Sequence, residues 1–215
     1  MPDTHSVLAH HFDDLTQQHE AASLGMWVFL ATEIMFFGGL FVSYAVYRFL
    51  FPQAWAAGSH LTDLWLGSIN TVVLIGSSLT MAMAVYFAQM GKRGMLILFL
   101  VLTIVLGCAF LGIKFLEYYH KYAEHHIPGY DFIYPGPLAR QVSLFVVFYF
   151  FMTGMHAVHM VIGVGLLAAL IIRASRNEFS PAYFSPVEVT GLYWHFVDII
   201  WIFLFPLLYL IDRHR

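Results

Sequence analysis

Five long apolar segments constrain the fold of this chain more than any other feature. An apolar helix of about 20 residues crosses the hydrocarbon core of a bilayer, and each segment is at least that long. Strand-like alternation is missing, so the sequence predicts an all-α protein, an integral membrane bundle of five transmembrane helices. The segments cover roughly residues 24–50, 65–89, 95–119, 140–172 and 188–211.

The composition fits a membrane setting. Hydrophobic residues make up 60% of the chain and charged residues 11%, whereas soluble domains carry about 25% charged residues. A globule of 215 residues cannot bury that much apolar surface, so lipid or other subunits must cover it. The net charge of −3 favours no nucleic-acid partner.

The predicted domain organisation is simple. Residues 1–23 form a polar N-terminal tail, and residues 24–215 form a single five-helix transmembrane domain. The tail carries no Lys or Arg, unlike a cleavable signal peptide, so the first span is expected to act as the membrane signal. Basic residues divide four against five between the two faces, and the positive-inside rule therefore gives no orientation.

Glu33 is an acidic residue inside the first predicted span. It lies roughly 13 Å from the start of the span at the rise of an α-helix, where an ionisable group costs several kcal/mol unless it faces protein or water. Three roles remain open from the residues: a proton relay, a lipid-headgroup ligand or a structural hydrogen bond. Gly38 and Gly39 are expected to let another helix approach closely.

The second and third spans carry polar residues of a structural kind. Lys114 and Glu117 stand three apart on one face of the third span, so they can neutralise each other. We interpret them as a helix-end pair, with a subunit contact as the alternative. The second span is rich in small polar side chains that typically join helices, namely Asn70, Thr71, Ser77, Ser78 and Thr80.

Two histidines in the fourth span raise the question of a metal. His156 and His159 are three apart and could share an ion, but a metal site normally needs a third or fourth ligand. A b-type haem would need a histidine on a facing helix, for which His195 is the candidate. We favour interhelical hydrogen bonds over either alternative.

The fifth span combines aromatic and ionisable residues. Trp194, Asp198 and Trp201 follow helical spacing and line one stripe. His195 and Asp198 are three apart and can share a hydrogen bond. We expect this pair to face inward and fix the helix against its neighbours, with Trp194 in the interfacial layer.

Five motifs of this chain, in this order, together resemble subunit III of haem–copper respiratory oxidases in its five-helix bacterial form. They are LATEIMFFGGLF at 30–41, NTVVLIGSS at 70–78, FLEYYH at 115–120, TGMHAVHMVIG at 153–163 and YWHFVDIIWIFLF at 193–205.

The resemblance implies an accessory subunit without a redox centre or metal of its own. Haem and copper would belong to partner subunits I and II of a proton-pumping cytochrome c oxidase that reduces oxygen to water. The chain would pack on subunit I, bind phospholipid and support proton uptake and stability. Subunit IV or a larger respiratory supercomplex are further candidate partners. The expected location is the bacterial inner membrane, multi-pass, with a cytoplasmic N-terminus and a periplasmic C-terminus.

The resemblance also assigns roles to residues. Glu33 matches a buried carboxylate near a lipid site, and Arg173 matches a basic residue that pairs with a lipid phosphate, a contact suited to Arg. The positions that look structural are Glu117, His156, His159, Glu188, His195 and Asp198.

Three other functions remain as alternatives. One is subunit III of a quinol oxidase. Another is a stand-alone membrane transporter or proton channel with Glu33 and Asp198 on its path, although internal repeats and broken helices are missing. The third is a di-haem cytochrome b that uses His156 and His195.

Overall fold

A computed structural model describes residues 8, 10, 12–127, 132–135 and 137–212. In this part of the chain the secondary structure is helical, apart from an isolated bridge between Ser180 and Tyr183. The helices are α1 (Leu15–Leu50), α2 (Pro52–His60), α3 (Leu64–Gln89), α4 (Arg93–Ala123), α5 (Ala139–Ser175) and α6 (Ser185–Tyr209).

Five of these helices are long and apolar enough to cross a membrane, namely α1, α3, α4, α5 and α6. The prediction of an all-α bundle with five spans is therefore confirmed. The fourth predicted span corresponds to α5, whose 37 residues give a length of about 55 Å at 1.5 Å per residue. That length exceeds the roughly 30 Å hydrocarbon core, so α5 tilts or projects beyond it.

Helix α1 begins nine residues before the predicted span, because a capping sequence precedes the apolar run. Asp14 is the N-cap, and its Oδ1 accepts a hydrogen bond from the backbone N–H of Gln17 at 2.7 Å. The side chain of Gln17 reaches back to the N–H of Asp13 at 2.8 Å. This reciprocal arrangement resembles a capping box, and it makes residues 15–23 helical although they are polar.

Helix α2 lies in a stretch that the sequence indicated only as a connection. Pro52 occupies the start of the helix, where its missing N–H costs nothing. Trp55 of α2 is fully buried and packs edge-on against Phe145 of α5. The short helix thus closes one end of the bundle over α5.

The α3–α4 turn, GKRG, is a glycine-terminated helix end. Gly91 has φ +68°, the left-handed conformation that suits glycine. The N–H groups of Gly91 and Lys92 donate to the carbonyls of Ala88 and Phe87, both at 3.0 Å. This is the hydrogen-bond pattern of a Schellman motif, and it returns the chain directly into α4.

Helix α6 is central in the bundle because it packs against α1, α3 and α5. Helix α1 lies at the edge and packs mainly on α6 and α2. Its three buried residues, Leu30, Phe37 and Tyr44, are seven apart, which gives one narrow contact seam. The Tyr44 hydroxyl donates to the carbonyl of Leu207 near the end of α6.

The outer surface of α1 is apolar, as expected of a helix that faces lipid. Met35, for example, is 77% exposed. Gly38 and Gly39 lie off the contact seam, and a Cβ added at either position meets nothing within 4 Å. The expected close helix approach at these glycines is therefore wrong within the described chain.

Candidate functional site

The polar residues of the spans gather into three sites. One is a Glu33–His159 pair between α1 and α5. The second is a buried cluster around Lys114, which we call the Lys114 cluster. The third is a row of hydroxyls on α3 that meets Trp194, His195 and Trp201 on α6, which we call the α3–α6 ladder.

Glu33 and His159 join the edge helix α1 to α5. The Glu33 carboxylate oxygen Oε2 lies 3.2 Å from His159 Nε2, and the other ring nitrogen, Nδ1, lies 2.8 Å from the carbonyl of Met155. The Phe37 ring packs against the same imidazole at 5.2 Å. The Glu33 side chain remains 20% exposed, so the carboxyl is bonded to protein on one side and reachable from the other.

The Lys114 cluster lies deep in the bundle, where α4, α5 and α6 meet. Lys114 Nζ donates to Glu117 Oε2 at 2.8 Å, to the Tyr209 hydroxyl at 2.7 Å and to the Tyr149 hydroxyl at 3.1 Å. The Tyr209 hydroxyl in turn donates to Glu117 Oε1 at 2.8 Å. The expected pairing of Lys114 with Glu117 is present, and both side chains are almost fully buried.

Aromatic rings complete the environment of Lys114. Its Nζ lies 5.0 Å from the ring centroids of both Tyr149 and Trp201, within the range of a cation–π interaction. Every donor of the amine faces a hydroxyl, a carboxylate or a ring, so the cluster offers no open site for a ligand. Its chemistry suits a structural lock across three helices.

Trp194 occupies the middle of the bundle. Its indole Nε1 donates to Ser77 Oγ of α3 at 2.9 Å. A Cβ at Gly107 of α4 would lie 2.8 Å from the ring, and one at Gly163 of α5 would lie 2.9 Å from it. The expected interfacial position of Trp194 is therefore wrong, because glycines on two other helices create a slot for the ring inside the protein.

The α3–α6 ladder confirms that small hydroxyls join helices. Trp201 Nε1 donates to Thr71 Oγ1 at 3.1 Å, and Ser78 Oγ lies 2.7 Å from His195 Nδ1. These two pairs and the Trp194–Ser77 pair lie one after another along the antiparallel helices α3 and α6. A further hydroxyl pair joins α3 to α4, where Thr80 Oγ1 and Thr103 Oγ1 are 2.9 Å apart.

The expected hydrogen bond between His195 and Asp198 does not form. The imidazole turns across to Ser78 on α3 instead. Asp198 is only 3% exposed, and both carboxyl oxygens are without a hydrogen bond to any described residue. The Ser78 hydroxyl lies near the Asp198 carboxyl, but the geometry between them is not that of a hydrogen bond, and the hydroxyl is bonded to His195 instead.

His156 lies apart from the other imidazoles. Its ring packs between Phe110 and Trp201, with centroid distances of 5.4 and 5.2 Å. Neither ring nitrogen bonds to a described residue. His159 and His195 bond to Glu33 and Ser78, respectively, so these three imidazoles lie in three different environments.

Arg173 and Glu188 lie at the same end of the bundle but in separate contacts. Arg173 Nε donates to Glu178 Oε2 at 2.7 Å, and its Nη2 lies 3.5 Å from the Tyr183 hydroxyl. Glu188 Oε2 lies 3.8 Å from His19 Nε2, and both side chains are partly exposed. Arg173 is 14 residues from His159 along α5, about 21 Å, so Arg173 and Glu33 do not form one site.

Three partners of the site residues were not foreseen from sequence. Tyr149 and Tyr209 complete the Lys114 cluster, and Ser78 takes the place expected for Asp198 beside His195. Tyr209 carries little signal because it ends a span, and aromatic residues are common at membrane interfaces. Ser78 belongs to the motif at 70–78, but its partner depends on how α3 and α6 are aligned along their axes, which the sequence does not reveal.

Comparison with known proteins identifies the family of the chain. The family model for cytochrome c oxidase subunit III matches residues 6–212. The chain is 34% identical to a cytochrome c oxidase subunit 3 of Corynebacterium diphtheriae over 88% of each chain. It is 28% identical to a probable quinol oxidase subunit 3 of Staphylococcus haemolyticus over 93% of each chain. A protein of the same description from Staphylococcus epidermidis is 27% identical over 94% of this chain and 95% of its own length.

Proposed function

Because the chain belongs to the cytochrome c oxidase subunit III family, we propose that it serves as the non-redox accessory subunit of a proton-pumping cytochrome c oxidase. Membership makes it a multi-pass membrane subunit of a haem–copper terminal oxidase, in place of the stand-alone transporter. The observation that carries the proposal is the match over residues 6–212, which includes all five membrane helices.

Partner subunits I and II hold the haem and copper in this proposal. The bonding of the histidines supports a structural role for them here. His159 is held by Glu33 and by a backbone carbonyl, and His195 is held by Ser78. An optical spectrum of the separated polypeptide tests this part, and a haem band that stays with the chain would overturn it.

Cytochrome c is the proposed electron donor. In its support, the relative described as a cytochrome c oxidase subunit is 34% identical, against 28% for the relative described as a probable quinol oxidase subunit. The match to the Staphylococcus haemolyticus relative covers 93% of this chain, against 88% for the cytochrome c oxidase subunit, and supports quinol as the alternative donor.

Purification of the intact complex through a tag on this chain separates the two donors. We expect a haem–copper catalytic subunit to co-purify and oxygen uptake to follow the addition of reduced cytochrome c. Oxygen uptake with a quinol alone would reassign the donor. A preparation without any haem–copper subunit would defeat the assignment as an accessory subunit.

The proposal includes support of proton uptake at Glu33, beside the acyl chains of a bound phospholipid, and a separate contact between Arg173 and a lipid phosphate. Glu33 suits such a role because its side chain is partly exposed on the lipid-facing helix α1. Arg173 uses Nε for Glu178 and Nη2 for Tyr183. Its Nη1 amine group remains as the donor for a phosphate oxygen.

The proposed location is the inner membrane of a bacterium, with the N-terminus in the cytoplasm and the C-terminus in the periplasm. In this orientation the Arg173–Glu178 contact lies on the cytoplasmic side and the Lys114 cluster nearer the periplasmic side. Labelling of single cysteines introduced at exposed Lys92 and exposed Gln53 with a membrane-impermeant reagent tests it, in a background without Cys108. Labelling from outside is expected at Gln53 only, and the opposite pattern would reverse the orientation.

A further inference from the structure

A groove between α3 and α6 is open on the outer surface of the bundle. It has a volume of about 390 Å³. Its walls carry exposed aliphatic side chains from both helices, and its base carries the polar residues Ser78, His195 and Asp198. Ile75 and Leu79 of α3 are 55% and 65% exposed, and Ile199 and Ile202 of α6 are 50% and 48% exposed.

Asp198 makes this groove different from an ordinary lipid-facing surface. The residue lines the groove and is almost fully buried, and neither of its carboxyl oxygens has a hydrogen bond to a described residue. Leaving a buried carboxyl without a hydrogen bond costs free energy, the more so where water is excluded. A hydrogen bond to a polar group of another molecule would remove this cost. The Nε2 of His195, whose Nδ1 faces Ser78, is a second polar group in the same groove.

The depth of Asp198 decides what kind of partner can supply the hydrogen bond. Asp198 is 13 residues from the start of α6 and 11 from its end, or about 20 Å and about 16 Å along the axis. It thus lies near the middle of a hydrocarbon core roughly 30 Å thick. Lipid headgroups lie outside that core, and acyl chains have no donors or acceptors. A polar side chain on a transmembrane helix reaches this depth readily.

We propose that the α3–α6 groove receives a transmembrane helix of a partner oxidase subunit, and that a polar side chain of this helix hydrogen-bonds to Asp198. The proposal rests on the proposed function, since a subunit of a complex must have a face that a neighbour covers. The aliphatic walls supply van der Waals contact, and the Asp198 carboxyl fixes the position of the incoming helix along α6.

Photocrosslinking in the intact complex tests the occupant of the groove. A small diazirine-bearing residue at Ile75 or at Ile202, with Asp198 unchanged, reports its nearest neighbour in native membranes. Val161 of α5, which is 59% exposed, is the control for general membrane exposure. We expect adducts from both groove positions with another oxidase subunit. Adducts only with phospholipid, or only with a second copy of this chain, would overturn the proposal.

Two variants test the hydrogen bond itself. Asp198→Asn keeps polar atoms at the same positions, so we expect it to retain the partner subunit during purification. Asp198→Leu removes them, and we expect roughly three- to thirty-fold less partner subunit per copy of this chain, the range for one interhelical hydrogen bond in a membrane. Equal retention by both variants would show that the carboxyl does not hold the partner.

The outcomes also separate this inference from the proposed function. If the wild-type chain co-purifies with a haem–copper subunit but groove adducts contain only lipid, the accessory role stands and the docking site is wrong. If no oxidase subunit co-purifies with the wild-type chain, the proposed function itself fails.

Discussion

Trp194 of α6 donates its indole N–H to Ser77 of α3 across 2.9 Å, at the centre of the bundle. The ring fits between Gly107 and Gly163, so a single side chain connects four helices. Interhelical hydrogen bonds in membranes are worth about 0.6–2 kcal/mol each, and the close packing around the ring adds to this. The centre of the bundle should therefore respond sharply to added volume.

Gly163→Ala should destabilise the protein because the new methyl group would lie 2.9 Å from the Trp194 ring. Overpacking of this kind typically costs about 1–3 kcal/mol. The measurement is the unfolding temperature of the purified complex. Gly165→Ala on the same helix is the matched control, since a Cβ there meets nothing within 4 Å. Equal unfolding temperatures for the two variants would contradict the slot described for Trp194.

Lys114→Met should be strongly destabilising because it leaves the Glu117 carboxyl buried without its amine partner. Removal of one member of a buried ion pair costs about 3–5 kcal/mol, whereas replacement of both by apolar residues is often tolerated. The double variant Lys114→Met/Glu117→Leu should therefore recover part of the loss. The readout is the amount of folded chain in membranes. Lys92→Met, at an exposed site, is the control, and a double variant worse than Lys114→Met would refute the pairing.

Glu33→Gln should leave assembly intact because an amide can still hydrogen-bond to His159. If the charge of Glu33 serves lipid or proton exchange, the variant oxidase should lose oxygen-reducing activity faster over successive turnovers than the wild type. The assay follows oxygen uptake with time at equal amounts of complex. Glu20→Gln on the exposed first turns of α1 is the control. A failure of Glu33→Gln to assemble would make Glu33 structural and the lipid assignment wrong.

Arg173→Lys should lower the amount of phospholipid retained by the complex, because Lys lacks the separate Nη1 donor that remains for a phosphate oxygen while Nε contacts Glu178. Glu178→Gln should not lower it, since Glu178 contacts the guanidinium from the other side. Lipid phosphorus per complex is the measurement, with Arg176→Lys as an exposed control. If Arg173→Lys retains as much phospholipid as the wild type, Arg173 serves only the contact with Glu178.

Asp14→Ala should fray the start of α1 because the backbone N–H of Gln17 loses its acceptor. Loss of an N-cap costs about 0.5–2 kcal/mol. Amide hydrogen exchange in residues 15–20 is expected to rise, while exchange in the membrane part of α1 stays unchanged. Asp13→Ala removes a side chain that does not cap the helix and is the control. Similar exchange in both variants would show that Asp14 does not stabilise the helix end.

The five spans could be predicted from sequence because long apolar runs leave no other fold for a chain of this composition. The short helix α2 could not, since nine residues give little periodicity and the burial of Trp55 depends on α5. The early start of α1 had a readable signal in Asp14 and Gln17. Hydrophobicity alone pointed to residue 24, where the polar stretch ends.

Contacts within one helix were easier to foresee than contacts between helices. Lys114 and Glu117 pair as their spacing indicates. His195 and Asp198 have the same spacing but do not pair, because Ser78 on α3 offers the imidazole a closer partner. The position of Trp194 was misjudged for a similar reason. The glycines that accommodate its ring, Gly107 and Gly163, are 87 and 31 residues away in the sequence.

The packing of α1 against α6 has a consequence for biosynthesis. Helix α1 leaves the ribosome before the other described helices, yet it packs mainly on α6, which is made after them, and its Glu33 side chain bonds to α5. The Tyr44 hydroxyl finds its acceptor only at Leu207. While α3, α4 and α5 are translated and inserted, α1 therefore lies in the bilayer without α6, the helix on which it mainly packs. A nascent chain that stops before α6 would leave α1 unattached, a natural target for membrane proteases or insertion chaperones.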